Sequence, residues 1–273
     1  ATEGWLGRVI RDIDPHSENV LTGVNFGRGL PRAMALTGVP VASVAVLEGY
    51  GVLTGISGEE QRARALDIFE RMYSPAIGTG AAMDYLGRTG LDALKGADIL
   101  KTAAESYSST IEYAATPIAQ SLRGMAQVIL KDLGTRVLYT SQGGYDTHAN
   151  QVPVQTPLLS DLSVGIGDFF ADLREHDAAD NVMMMVFTEF GRRVKDNGSG
   201  SDHGSGGASY MIGQPVNGGM YGEYPSLKEE DQLDGDLHFN VDFRSVYSTI
   251  VDRWMGLDAR SAIGGIYEHL DFV

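Results

Sequence analysis

The chain has 273 residues, with 21 Lys and Arg against 36 Asp and Glu, so its formal net charge is −15. Hydrophobic residues make up 43% of it, which is typical of a globular protein and excludes a wholly disordered one. The acidic balance argues against nucleic-acid binding, because no excess of cations can neutralise phosphates. The absence of cysteine excludes disulfides, thiolate metal ligands and cysteine nucleophiles. No stretch approaches the roughly 18 apolar residues of a membrane helix, so we expect no membrane insertion.

The first half of the chain alternates apolar residues at helical spacing with short β-rich runs bounded by glycine or proline. The elements predicted there are helices over 3–13 and 59–73 and strands over 20–26 and 41–47. Residues 55–133 are predicted to be mostly helical, with breaks near Gly90 and Gly96 and a new helix that begins at Pro117.

The second half continues the alternation of strands and helices. The elements predicted there are strands over 136–141, 182–188 and 210–212 and helices over 155–176 and 243–256. The run 182–188 is continuously apolar, which is typical of a strand covered on both faces in a parallel sheet. The order of elements predicts an α/β fold, with a mainly parallel sheet and helices on both faces, in a single domain over 1–273.

Two clusters of metal-ligand residue types follow predicted strands. The first cluster lies after 136–141 and the second after 182–188, where open α/β sheets carry their functional side chains. The candidate metal ligands are Asp146, His148, Glu189, Asp202 and His203. Carboxylate oxygen and imidazole nitrogen are the natural ligands of Zn²⁺, Mn²⁺ or a similar cation when no thiolate is available.

Each of these residues also has a structural interpretation. Asp146 could cap a turn, and Asp202 with His203 could form a turn with an Asx hydrogen bond. Glu189 could pair with an arginine at 192 or 193, since a buried carboxylate needs a partner. A buried polar network without metal is therefore the structural alternative to a metal site.

Several other chemistries lack their sequence motifs. The chain has no G-x-S-x-G nucleophile elbow, no P-loop and no G-x-G-x-x-G dinucleotide motif. A serine hydrolase of the α/β type, a P-loop NTPase and a dinucleotide-binding enzyme are therefore not indicated.

The ordered motifs resemble a bacterial family, the domain of unknown function 1501. They lie between Leu122 and Gly256, and a GWLGR segment at 4–8 is also similar to that family. The motifs are GGYDTH at 143–148, TEFGR at 188–192, DHG at 202–204, GGMYGEYP at 218–225 and DFRSVY at 242–247.

That family is related to the alkaline phosphatase and sulfatase superfamily, and the resemblance implies a similar fold with one or two divalent cations (Zn, Mn, Ca or Mg). It implies a periplasmic or exported hydrolase of phosphate or sulfate esters, acting on a small anionic ester or a phosphorylated or sulfated saccharide. Arg192 is the expected contact to the anion, because its planar fork matches phosphate and sulfate.

The family's opening strand and nucleophile region have no counterpart in 1–8, so we expect the chain to lack the N-terminal portion of the domain. The catalytic nucleophile therefore stays unassigned. The alternative function is a non-catalytic envelope binding protein that retains a remnant metal site.

Overall fold

A computed structural model describes residues 3–47, 56 and 58–273. The chain groups into two compact units, Ala1–Ser141 and Gln142–Val273. The single domain over 1–273 stays a prediction. Residues 55 and 57, at the start of the predicted helical segment, lie outside the described residues.

The described part of the first unit combines four α-helices with three short strands. Its elements are α1 (Trp5–Ile13), β1 (Gly23–Phe26), β2 (Ala42–Val44), α2 (Glu59–Tyr73), α3 (Ala81–Glu105), α4 (Pro117–Leu130) and β3 (Val137–Thr140). The strands form one sheet in the order β2-β1-β3, and both pairings are parallel. Parallel strands need crossover connections, and α2, α3 and α4 lie between β2 and β3 along the chain, so the unit is mixed α/β as predicted.

The central strand β1 is fully buried because a helix covers each of its faces. A Cβ built on Gly23 would lie 2.4 Å from Ile10 of α1, and one built on Gly124 of α4 would lie 2.3 Å from the ring of Phe26. Gly23 and Phe26 point to opposite faces, since successive side chains of a strand alternate. The core around this strand includes Val9, Leu21, Val24, Met34, Val44, Leu122 and Val128.

The predicted breaks at Gly90 and Gly96 are wrong, because α3 runs without interruption from Ala81 to Glu105. A Cβ on Gly90 would lie 2.5 Å from the ring of Tyr73, at the end of α2. The glycine therefore allows close packing of an aromatic ring and does not end the helix.

The second unit contains antiparallel strand pairs and helices. Its elements are α5 (Gln151–Glu175), β4 (Met184–Val186), β5 (Gly191–Asp196), β6 (Ser201–Gly204), β7 (Tyr210–Ile212), α6 (Phe243–Thr249), a π-helix (Ile250–Trp254) and α7 (Ala259–Ile263). Its core includes Phe169, Phe170, Leu173, Val251 and Phe272. Among the described residues of the whole chain, no helix is long and apolar enough to span a membrane.

The apolar run at 182–188 does not form the expected strand of a parallel sheet. Only Met184–Val186 is a strand, and β4 pairs antiparallel with β7, with Met185 opposite Met211. All three residues of the strand are half-buried, so neither of its faces is fully covered. The next two strands form the hairpin β5–β6, also antiparallel, in which Arg192 lies opposite His203.

We predict opposite effects for two glycine-to-alanine changes in helices. Gly124→Ala would lower the free energy of unfolding by roughly 1–3 kcal/mol, because the added methyl meets the Phe26 ring in a packed core. Gly167→Ala, the matched control on α5, meets nothing within 4 Å and should raise it by up to about 1 kcal/mol. Urea unfolding of the two variants measures both effects, and equal effects would contradict this packing.

Candidate metal centre

Two histidines and one aspartate of the second unit come together at the surface. Asp146 and His148 lie in the segment that precedes α5, and His203 lies on β6. One ligand atom from each of the three lies within 4.8 Å of the others, which makes them a candidate metal-binding group. The side chains of Asp146, His148 and His203 are 66%, 52% and 40% exposed, so a bound cation would keep open positions toward solvent.

The carboxylate of Asp146 lies between the two imidazoles. Its Oδ1 is 2.7 Å from Nε2 of His203 and 3.1 Å from Nε2 of His148. Tetrahedral coordination at 2.0–2.1 Å would place ligand atoms about 3.3 Å apart. The two carboxylate–imidazole distances are therefore close to those around a bound cation, and the donor set of two nitrogens and one oxygen fits Zn²⁺ or a similar ion.

Asp202 contacts the other side of the His148 ring. Its Oδ1 lies 3.1 Å from Nδ1 of His148, while Nε2 of the same ring faces Asp146. A carboxylate on the second nitrogen of a ligating histidine fixes the orientation of the ring. Asp202 thus contacts the second ring nitrogen of His148 and lies outside the group of three, and its role as a direct metal ligand stays a prediction.

Hydrogen bonds keep both aspartates ionised. The hydrogen bond with His203 lowers the pKa of Asp146, and the hydrogen bond with His148 lowers the pKa of Asp202. Asn197 adds to the second effect, since its Nδ2 donates to Asp202 Oδ1 at 3.1 Å. Both carboxylates are therefore charged and available as acceptors well into mild acid.

Glu189 does not join this group. Its side chain is exposed, in the segment between β4 and β5, and the three clustered ligand atoms belong to other residues. The buried ion pair considered for Glu189 presupposed burial, which the structure does not show. Its role as a metal ligand stays a prediction.

Arg192 is held by backbone carbonyl groups. Its guanidinium donates to the carbonyl oxygens of Thr147 at 2.7 Å, Tyr145 at 2.5 Å and Ser201 at 2.5 Å. These bonds fix the segment around Asp146 against the hairpin that carries His203. The anion-binding role of Arg192 stays a prediction, and its visible role is to hold the two ligand-bearing segments together.

Phe190 and Asn197 also support the centre, although the sequence did not single them out. The Phe190 ring stacks on His203 with centroids 3.7 Å apart and an interplanar angle of 12°. Asn197 donates to the backbone carbonyl of His148 at 3.0 Å, in addition to its bond to Asp202. The only sequence signal for them was their place within and just after the TEFGR motif.

Glycines allow the hairpin to pack closely. A Cβ on Gly191 would lie 1.8 Å from the carbonyl oxygen of Gly206, and one on Gly204 would lie 2.7 Å from the backbone of Arg192. At the turn, Asn197 Oδ1 accepts from the amides of Ser199 and Gly200 at 3.2 and 3.0 Å. This Asx-type turn sets the position of β6 and hence of His203.

Fold and site together define a mixed α/β protein with an exposed candidate metal centre of two histidines and one aspartate. The model of the family described as "Protein of unknown function (DUF1501)" matches residues 77–266, and the chain belongs to this family. Searches of curated proteins and of solved structures find no match.

We predict that Arg192→Ala lowers the free energy of unfolding by about 2–3 kcal/mol, because hydrogen bonds from a charged donor to partly buried carbonyl groups are lost. It should also weaken metal binding, since the segment bearing Asp146 is released. Arg192→Lys should recover only part of both, because an ammonium lacks the planar fork. Urea unfolding and a metal titration measure the two effects.

Arg193→Ala is the matched control for this experiment. Its side chain is 45% exposed and makes a 3.6 Å contact with Asp236. We expect a loss of stability of no more than about 1 kcal/mol, because a single long ion pair is removed. Equal losses in the Arg192 and Arg193 variants would contradict the positioning role of Arg192.

Proposed function

We propose that the group Asp146, His148 and His203 binds one divalent cation and that the protein is a metal-dependent hydrolase of phosphate or sulfate esters. The observation that carries the proposal is the convergence of two imidazole nitrogens and one carboxylate oxygen at an exposed position. Three protein ligands with open positions are typical of catalytic metal sites, whereas structural sites are closed by four.

The ligand set favours a transition-metal ion. Imidazole suits Zn²⁺, Mn²⁺ and similar ions, whereas Ca²⁺ and Mg²⁺ prefer ligand sets made of oxygen. One ion is proposed, because within the described part of the chain no second group of three such ligands lies together.

The residues around the group support a defined geometry. Asp202 orients the His148 ring, Phe190 packs against the His203 ring, and Arg192 holds the backbone on both sides of Asp146. A cation bound there supplies Lewis acidity toward a phosphoryl or sulfuryl oxygen and activates water at neutral pH. Exposure of the ligands leaves room for an ester substrate to approach.

The substrate class and the compartment rest on the resemblance of the motifs to the alkaline phosphatase and sulfatase superfamily. We propose a small anionic ester, such as a phosphorylated or sulfated saccharide, and a periplasmic or exported protein. Fold kinship by itself does not establish activity, so the experiment has to measure metal and hydrolysis together.

We predict about one equivalent of Zn²⁺ or Mn²⁺ per chain after incubation and dialysis, because the group offers three ligands to one ion. His203→Ala should lower the affinity at least about 100-fold, since it removes a direct ligand. Elemental analysis and a titration measure both. His16→Ala, the control at an exposed histidine outside the group, should bind as the parent does.

Hydrolysis of p-nitrophenyl phosphate and p-nitrophenyl sulfate by the metal-loaded chain tests the activity. Turnover that is lost with a chelator and in His203→Ala supports the proposal. Metal binding without turnover would favour a non-catalytic binding protein, an alternative supported by the engagement of Arg192 with backbone carbonyl groups in place of a free anion contact. If neither the parent chain nor His203→Ala takes up metal, the group is a polar network that binds no cation.

We predict that metal affinity falls as the pH falls from about 8 to 5, because protons compete with the cation for imidazole nitrogens. The pKa of Asp146 is lowered, so its carboxylate stays ionised through this range and does not limit binding there. Titrations of metal at several pH values measure the slope. An affinity independent of pH would contradict coordination by the histidines.

A further inference from the structure

The outer face of α5 (Gln151–Glu175) is uncharged over about four turns of the helix. Between 151 and 167, a range that the structure describes in full, the exposed residues are Val152, Pro153, Thr156, Pro157, Leu159, Ser160, Ser163, Val164 and Gly167. The solvent side of a surface helix usually carries charged and polar residues. An uncharged outer face is therefore unexpected in a chain whose formal net charge is −15.

The outer face follows one side of the helix. In steps of four, three, four and four residues, its central row runs through Val152, Thr156, Leu159, Ser163 and Gly167. Residues three and four apart are neighbours on a helix surface. The opposite side packs into the unit, where Leu158 and Leu162 are half-buried and Phe169 is 2% exposed.

Three large aliphatic side chains make the outer face apolar. Val152, Leu159 and Val164 are 76%, 54% and 51% exposed. A single exposed aliphatic residue is ordinary, whereas a contiguous apolar patch often marks an interaction site. The outer face offers roughly 500 Å² per chain, so two copies in contact would bury about 1,000 Å², the minimum for a specific interface.

The order of residues along the outer face makes it complementary to itself. In an antiparallel pair of α5 helices centred between Leu159 and Ser160, these two residues lie at the same level. The same pairing brings Val152 of one copy to the level of Gly167 of the other. A Cβ on Gly167 meets nothing within 4 Å among the described residues, so the space beside it is open. Larger residues then pack beside smaller ones, and the two helices can approach closely.

Charge selects the kind of partner. An anionic or a cationic protein would find no ion to pair with on the outer face. Two copies of a chain with a net charge of −15 repel each other, so they meet best where no ionised side chain has to be desolvated. The outer face of α5 meets this requirement.

From the missing charge, the exposed area and the self-complementary order of residues, we propose that a second copy of this chain packs on the outer face of α5. The two helices run antiparallel about a two-fold axis near Leu159 and Ser160. Such two-fold contacts are the commonest in soluble oligomers. The proposal does not depend on the metal-dependent activity, because Asp146, His148 and His203 are not part of the outer face.

Sedimentation velocity of the full chain over a range of concentrations tests the proposal. We expect a monomer–dimer equilibrium with a Kd on the order of 10 µM, since an interface of minimum size is weak. Leu159→Lys should raise this Kd at least about tenfold, because it brings two ammonium groups together at the axis. His203→Ala should form dimers as the parent does, whatever its effect on metal.

Leu86→Lys is the matched control. Leu86 lies in the helix α3 and is also 54% exposed, so the two variants make the same change at equal exposure. We expect Leu86→Lys to form dimers with the parent's affinity. Circular dichroism should show parental helix content in both variants.

A cysteine variant tests the position of the axis. The chain has no cysteine of its own. Ser160→Cys should form a disulfide-linked dimer under mild oxidation, because two residues beside the axis approach within the roughly 4.4–6.8 Å between Cα atoms that a disulfide needs. Leu86→Cys, the control, should cross-link much more slowly.

Three results would overturn the proposal. They are a parent chain that stays monomeric at the highest concentration, a dimer that Leu159→Lys leaves intact, and equal cross-linking of Ser160→Cys and Leu86→Cys. A dimer that is lost in Leu86→Lys and retained in Leu159→Lys would place the contact on α3.

Discussion

The guanidinium of Arg192 joins the two segments that make the candidate metal centre. It donates to the carbonyl groups of Tyr145 and Thr147, on either side of Asp146, and to that of Ser201, two residues before His203. A guanidinium has five N–H donors in a fixed plane, so one side chain can orient several carbonyl groups at once. The relative position of the Asp146 carboxylate and the His203 imidazole thus depends on Arg192, which lies opposite His203 in the β5–β6 hairpin. Its role as the contact to an anionic substrate stays a prediction.

The side chains of the centre form a row in which carboxylates and imidazoles alternate. Asp202, His148, Asp146 and His203 follow one another at hydrogen-bond distance, and the Phe190 ring covers the last imidazole. Hydrogen bonds with the neighbouring imidazoles lower the pKa of Asp146 and of Asp202. Both carboxylates are therefore ionised although the row lies at the surface. A cation held by His148, Asp146 and His203 would leave Asp202 in contact with the second ring nitrogen of His148.

Much of the fold follows from local patterns, and the exceptions are instructive. The parallel pairing of β1 with β3 joins two segments that were both predicted as strands from their β-rich composition. Gly90 was misread because a glycine that accommodates the Tyr73 ring cannot be distinguished by sequence from one that ends a helix. The run around β4 was misread because continuous apolar composition does not specify whether a strand pairs parallel or antiparallel.

The sequence by itself determined the residue types of the centre and the α/β class, because ligand chemistry and periodicity are local properties. The order of its motifs also indicated the family of the chain. Only the tertiary structure decided which residues meet. It joined Asp146 to His203 over 57 residues and Arg192 to Tyr145 over 47, brought Asp202 against the ring of His148, and left Glu189 exposed. The reason is geometric, since such contacts depend on the hairpin register and on the close approach allowed at Gly191 and Gly204, and neither can be seen in the spacing of the motifs.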